Sequence, residues 1–182
     1  KSSSSSSPSI EDSSVAAPPL KEINIVVINL LHRVHRRRKM VNTLGLLHDA
    51  GLKEGFRVRS HILEAIDGVS QSLVELNARY GVRPYPEWKI PPTSAQHMRV
   101  PPSWKDFLTS GGIASTLSHL DVAVLVHARA WTTPTIVAED DFELVCTPAE
   151  FWAHINLLLS DADTESQQSG VPWDMIMLGS GR

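Results

Sequence analysis

The chain has 182 residues and a net charge of −3, with 42% hydrophobic and 20% charged side chains. These values fit one ordinary globular domain with enough length for a core, and they exclude a global field that recruits nucleic acid or acidic membranes. The single cysteine, Cys146, excludes an internal disulfide framework and a cysteine-rich zinc site, and no apolar stretch approaches the roughly 20 residues of a membrane span.

Residues 1–19 are of low complexity, with a serine run followed by acids, alanines and prolines. Such a segment buries too little apolar surface to offset its ordering entropy, so it is expected to be a disordered tail or stem. Order is expected from about Leu20. Residues 23–30 (INIVVINL) are almost continuously apolar and β-branched, as a strand buried on both faces requires. A basic stretch, His32 to Lys39, leads into a helical pattern with Met40, Leu44 and Leu47 on one face. Gly51 stands where a stop signal is expected. Residues 56–66 read as a second strand closed by the turn pair Asp67-Gly68, and residues 70–79 as a short helix. Residues 80–102 hold six prolines and read as a long irregular excursion.

Ser110 opens a long helix reaching about Trp131, with Ile113, Leu117, Leu120 and Val124 at helical spacing. A short buried strand over residues 135–138 ends abruptly in Glu139-Asp140-Asp141. Thr147-Pro148 has the form of a helix start, a threonine cap with proline at the first position. Residues 161–170 read as a polar loop and residues 173–178 as a last short strand. Strands alternating with helices predict an α/β fold with a mostly parallel sheet covered on both faces.

The acidic triplet is the strongest chemical signal. In open α/β sheets, ligands bind beyond the carboxyl ends of the strands. Alternation along an extended chain puts Glu139 and Asp141 on one side and Asp140 on the other. Two carboxylates facing solvent on one side suit a hard divalent cation that also carries phosphate oxygens. A solvated acidic turn is the plainer reading of the triplet. The arginines after the first strand could hold phosphates, or mark a solvated helix start. Ser118-His119 is no nucleophile–base pair, because adjacent helix residues do not face each other. His119 and His127 lie about 12 Å apart along a helix, too far to share a metal.

In order, these motifs resemble glycosyltransferase family 25, the lipooligosaccharide and procollagen galactosyltransferase group. The residues that carry the resemblance are Val27-Ile28-Asn29-Leu30, Arg36-Arg37 and Met40, then Ala65-Ile66-Asp67-Gly68. Further on come Gly111 to His119 in part, Glu139-Asp140-Asp141, and Trp173-Asp174 running through to Leu178-Gly179. His32, Gly112, Ala114 and Ser115 depart from the family pattern. The resemblance implies a GT-A-like, Rossmann-type nucleotide-diphospho-sugar transferase fold, with this chain covering the donor-binding portion over residues 20–182. It implies inverting transfer of a hexose, galactose from UDP-galactose, to a hydroxyl on a glycan or protein, assisted by Mn²⁺ or Mg²⁺.

By the same resemblance Asp141 and Glu139 would hold the metal. Asn29, Leu30, Arg36, Asp67, His119, Glu139 and Asp140 would border the donor, and no general base is identified. Family members continue beyond the closing motif, so a C-terminal truncation is expected. The serine-rich stretch suggests a stem with a membrane anchor outside this chain and a Golgi or ER lumenal type II enzyme; bacterial relatives work at the cytoplasmic face. The competing class is a non-catalytic relative acting as a binding or adhesion module. An unrelated nucleotide-binding α/β protein is the third.

Overall fold

A computed structural model describes residues 19–71, 73–81, 110–176 and 178. The serine-rich segment up to residue 18 and the proline-rich excursion over residues 82–109 lie outside the described residues. The elements are β1 (Lys21–Asn29), α1 (Val34–Lys53), β2 (Phe56–Glu64), α2 (Leu73–Tyr80), α3 (Ser110–Ala128), β3 (Thr135–Glu139) and α4 (Pro148–Ser169). The three strands form a parallel sheet in the order β2-β1-β3. This is an α/β architecture compatible with a Rossmann-like fold.

β1 is the central strand, and its sequence accounts for that place. From Ile23 to Asn29 every residue is buried. Ile23, Ile25 and Val27 point to one face and meet Met40, Leu44 and Leu47 of α1 with Trp152 and Ile155 of α4. Val26 and Ile28 point to the other face and meet Val122 of α3. The period-2 alternation of a strand thus feeds two separate cores. Trp152 closes the first: its ring stacks on Phe56 at 4.9 Å, and its indole N–H donates to the Leu47 carbonyl at 2.7 Å. A buried indole needs such a partner.

The chain first leaves β1 for β2 on one side, with α1 on the first face. It returns to β3 on the other side of β1, with α3 on the opposite face. That change of direction creates a topological switch point between the carboxyl ends of β1 and β3, the place where open α/β sheets bind ligands.

Several local expectations are corrected. Gly51 does not end α1; the helix runs through it to Lys53, and the turn falls at Gly55, with φ +83°. Gly51 is a packing residue. A Cβ there would lie 2.8 Å from Val58 Cγ2 and 3.0 Å from Trp152 Cε2. The second strand ends at Glu64 rather than residue 66, because the Ile66 amide donates instead to the Ser118 hydroxyl, 2.9 Å away. α3 buries Ile113 and Leu117 as expected, with Ser110, Ala114, Ser118 and Val122 beside them, and leaves Leu120 and Val124 exposed. At its start the backbone of Ser110 and Gly111 presses on Gly68, where any Cβ would collide.

β3 is half-exposed rather than buried, because among the described residues only β1 flanks it. Residues 161–169 continue α4, since no breaker occurs before Gly170, which caps the helix at φ 70°. Polarity there marks an exposed helix face, not a loop. The capping box of Thr147 and Glu150 starts this helix as expected. Residues 171–176 form no strand; Trp173 is instead tied back to α4 through Ser166 and Asp163.

Replacing Gly51 by alanine sets about 1 kcal/mol of gained helix propensity against an overpacking cost of about 1–3 kcal/mol. The contact at Trp152 is the less yielding of the two, so Gly51→Ala should lower the urea midpoint. A raised midpoint would show that the α1–α4 contact is loose.

Candidate functional site at the sheet's carboxyl edge

Asp140 is the buried member of the triplet, only 5% exposed. The strand ends at Glu139, and a turn follows in which the Phe142 amide donates to the Glu139 carbonyl at 3.1 Å. Alternation therefore stops before it reaches Asp141. Glu139 faces α3, whereas Asp140 and Asp141 turn toward α1. The expectation that Glu139 and Asp141 share a side is thus overturned by the turn at Asp140.

Asp140 joins three elements. The Asn29 side-chain amide donates to its Oδ2 at 2.8 Å. Arg36 donates to its Oδ1 at 2.9 Å, and Arg33 approaches the same oxygen at 3.4 Å. Asn29 is itself buried at the end of β1, so the amide–carboxylate bond ties the carboxyl ends of β1 and β3 together. Burial alone would push the Asp140 carboxyl up, but hydrogen bonds from Arg36 and Asn29 and the charges of both arginines outweigh it and hold it below the usual carboxylate range. Arg36 is in turn raised, chiefly by its bond to Asp140.

The outer carboxylates are engaged more lightly. Asp141, with 62% of its side chain exposed, meets Arg36 at 3.4 Å. Glu139, 53% exposed, takes His119 Nε2 at 3.2 Å and the Ser115 hydroxyl at 3.4 Å on the same oxygen. Ser118 belongs to the core: its hydroxyl accepts from Ile66 and donates to the Ala114 carbonyl. Lys39 pairs with Glu143 farther along the same flank.

Beside this network, an open cleft of about 350 Å³ lies at the carboxyl ends of β1 and β2. Leu30, His32, Glu64, Asp67, Ser70 and Gln71 are among its lining residues. Asp67 Oδ1 accepts from the amides of Val69 and Ser70, the self-bonded turn that Asp favours. Its Oδ2 lies 3.7 Å from His32 Nδ1. Partial burial would raise the Asp67 carboxyl, yet these amide and hydroxyl bonds and His32 bring it below its ordinary value.

The sheet thus gathers Asn29, Leu30, Arg36, Asp67, His119, Glu139, Asp140 and Asp141 along one edge. It does not gather Glu139 and Asp141 into one donor set. Among the described residues no group of three or more His, Cys, Asp or Glu could hold a metal ion. A preformed cation cage therefore does not fit these residues. Arg33 and Ser115 were not singled out as site residues from sequence; the three-residue step from Arg33 to Arg36, which puts both on one face at the helix start, was the available signal for the first. The chain matches no family profile, and neither a curated protein nor a solved structure is significantly similar to it.

Asp140→Asn removes the charge that both arginines address. Arg33 and Arg36 remain partly exposed and can hydrate, so the cost should be about 1–3 kcal/mol rather than the full penalty of an orphaned buried charge. The sign with pH follows from the lowered carboxyl. Its stabilisation is complete at neutral pH and is lost as acid takes the protein below about pH 4. Urea midpoints between pH 7 and pH 3 should therefore converge for the two proteins. A constant gap across that range would contradict the ionic role of Asp140.

Proposed function

We propose that the carboxyl edge of this sheet binds a nucleoside diphosphate sugar, and that the protein is a hexosyltransferase of GT-A-like type acting on a UDP-hexose. Support comes chiefly from the switch point between β1 and β3, where a buried carboxylate holds two arginines at the rim, next to an open cleft carrying Asp67. The order of motifs resembling glycosyltransferase family 25 supports the choice of sugar nucleotide over other nucleotides.

In this reading the cleft lined by Leu30, His32, Asp67 and Ser70 receives the nucleoside. Asp67 Oδ2 is the acceptor available to ribose or base, since Oδ1 is occupied by the turn. Arg33 and Arg36 lie toward the diphosphate, whose charge grows as the glycosidic bond breaks. Guanidinium forks suit that task because they pair with two phosphate oxygens at once. Held by Asp140, they need little reorganisation. Glu139 with His119 borders the α3 side of the same edge and would meet the donor sugar. Asp141 is the exposed carboxylate placed to take Mn²⁺ or Mg²⁺ arriving with the nucleotide, since such an ion keeps waters and phosphate oxygens and requires few protein ligands. The ion would supply further charge stabilisation to the leaving diphosphate. The acceptor is a hydroxyl of a glycan or protein.

A non-catalytic nucleotide-sugar-binding relative is the second reading. It is favoured by one observation: all three carboxylates of the triplet already have protein partners.

Calorimetry should show UDP binding in preference to ADP. Asp141→Ala should weaken binding about tenfold or more in Mn²⁺, a loss of about 1.4 kcal/mol, and leave the unfolding midpoint unchanged. Equal affinity for ADP, or no UDP binding at all, would reject the nucleotide-sugar reading. Release of radiolabelled galactose from UDP-galactose separates the enzyme from the binding module.

A further inference from the structure

α3 ends in a turn that its own sequence disfavours. The Trp131 amide donates to the Val126 carbonyl at 3.1 Å, and the Ala130 amide to the His127 carbonyl at 3.0 Å. Ala130 is left-handed, with φ 49°, the one non-glycine residue of positive φ among the described residues. This is the Schellman ending, where glycine is usual because a Cβ is unfavourable there. Alanine has that Cβ, so the turn leans on the apolar residue that follows it. Trp131 and Val126 pack on the cluster of Val26, Ile28 and Val122. The Trp131 ring also meets the His61 imidazole of β2, with centroids 4.6 Å apart.

That imidazole suits the contact only while neutral. His61 Nε2 is buried without a hydrogen-bond partner, the one such side-chain atom among the described residues. An unmet neutral nitrogen costs less than an unmet cation. The charges acting on the ring are both positive: Arg129, just past α3, and Arg59 on β2 itself. Across the ladder β1 offers Val26. Glu22, on the same face of β1, already accepts from Arg57 and Arg59 on one oxygen. His127, the titratable residue in the last turn of α3, enters the turn through its carbonyl. Burial therefore pulls the His61 imidazole below the ordinary histidine value, and Arg129 and Arg59 pull it further. An indole attracts a cation, but not enough to replace the missing acceptor.

We propose that His61 is an acid-sensitive latch on the connection from α3 to β3. Neutral, it seats Trp131 and keeps Ala130 in its disfavoured conformation; protonated, it expels the indole, and the turn over residues 129–132 opens. The Asn24 amide on the Pro134 carbonyl and the Asn24 side chain on Thr133 stop the opening short of β3. What loosens is a tie between β2 and the end of α3, the helix that carries Ser115 and His119 to Glu139. The closed ring is less basic than the open one, so the open state takes the proton first. The latch is fully closed above about pH 6.5 and weakens as the pH falls below it. The device is independent of the nucleotide reading.

NMR of the full chain between about pH 7.5 and pH 5 tests this. It follows the His61 ring and the exchange protection of the Ala130 and Trp131 amides, corrected for intrinsic exchange at each pH. The latch predicts a His61 midpoint below the ordinary histidine value. It predicts that protection of both amides falls about tenfold or more as the ring takes its proton, while Val26 and Val27 stay protected. His61→Phe keeps a ring against Trp131 and should hold the protection constant over the range; His61→Gln serves the same purpose if phenylalanine does not fold. A midpoint at or above the ordinary value overturns the proposal, as does a ring still neutral at pH 5. So does a turn unprotected at pH 7.5, or protection that persists once the ring is protonated. An equal loss in the variants assigns the opening to another group, and loss at Val26 and Val27 makes it global; either overturns the latch.

Discussion

One buried carboxylate organises the carboxyl edge of this protein. Asp140 receives the Asn29 amide from β1 and two guanidinium groups from α1, and so binds the ends of two strands to the start of a helix. A carboxylate this buried is costly unless its lone pairs are met, and here they are. The consequence is directional. Arginines that would otherwise sweep through solvent are held where the sheet reverses its winding, and the preorganisation of positive charge comes from the fold itself.

The geometry also redistributes roles within the triplet. Glu139, Asp140 and Asp141 are consecutive, but a turn at the strand end sends them to different neighbours: Ser115 and His119, Asn29 and the arginines, and Arg36 alone. The positive groups that the fold fixes at this edge are arginines. Among the described residues no carboxylate cage stands ready for a cation.

Much of the fold was legible because β1 obeys simple rules. Seven buried residues in a row could only be a central strand, and Met40, Leu44 and Leu47 declared the face of α1. The readings that failed did so for physical reasons. Gly51 was read by its conformational freedom, but its missing side chain matters because Trp152, a hundred residues later, fills the space. The polar end of α4 was read by composition, which reports exposure rather than backbone state. Leu120 and Val124 continue the helical stripe of the buried Ile113 and Leu117, yet α3 turns Ser118 and Val122 inward in their place. At the site, the triplet, Asn29 and Asp67 stood out in the sequence. What alternation could not foresee was a turn starting at Asp140, closed by the Phe142 amide on the Glu139 carbonyl.

The central claim is that the network around Asp140 and the adjoining cleft form one anion-receiving edge. Titrating UDP into isotopically labelled protein and mapping the backbone shifts tests this most directly. The account predicts saturable shifts concentrated at residues 29–36, 64–71 and 139–141, with adenosine diphosphate producing much smaller ones. Shifts clustered on the opposite, amino-terminal edge of the sheet, or no saturable shifts up to millimolar UDP, would contradict it.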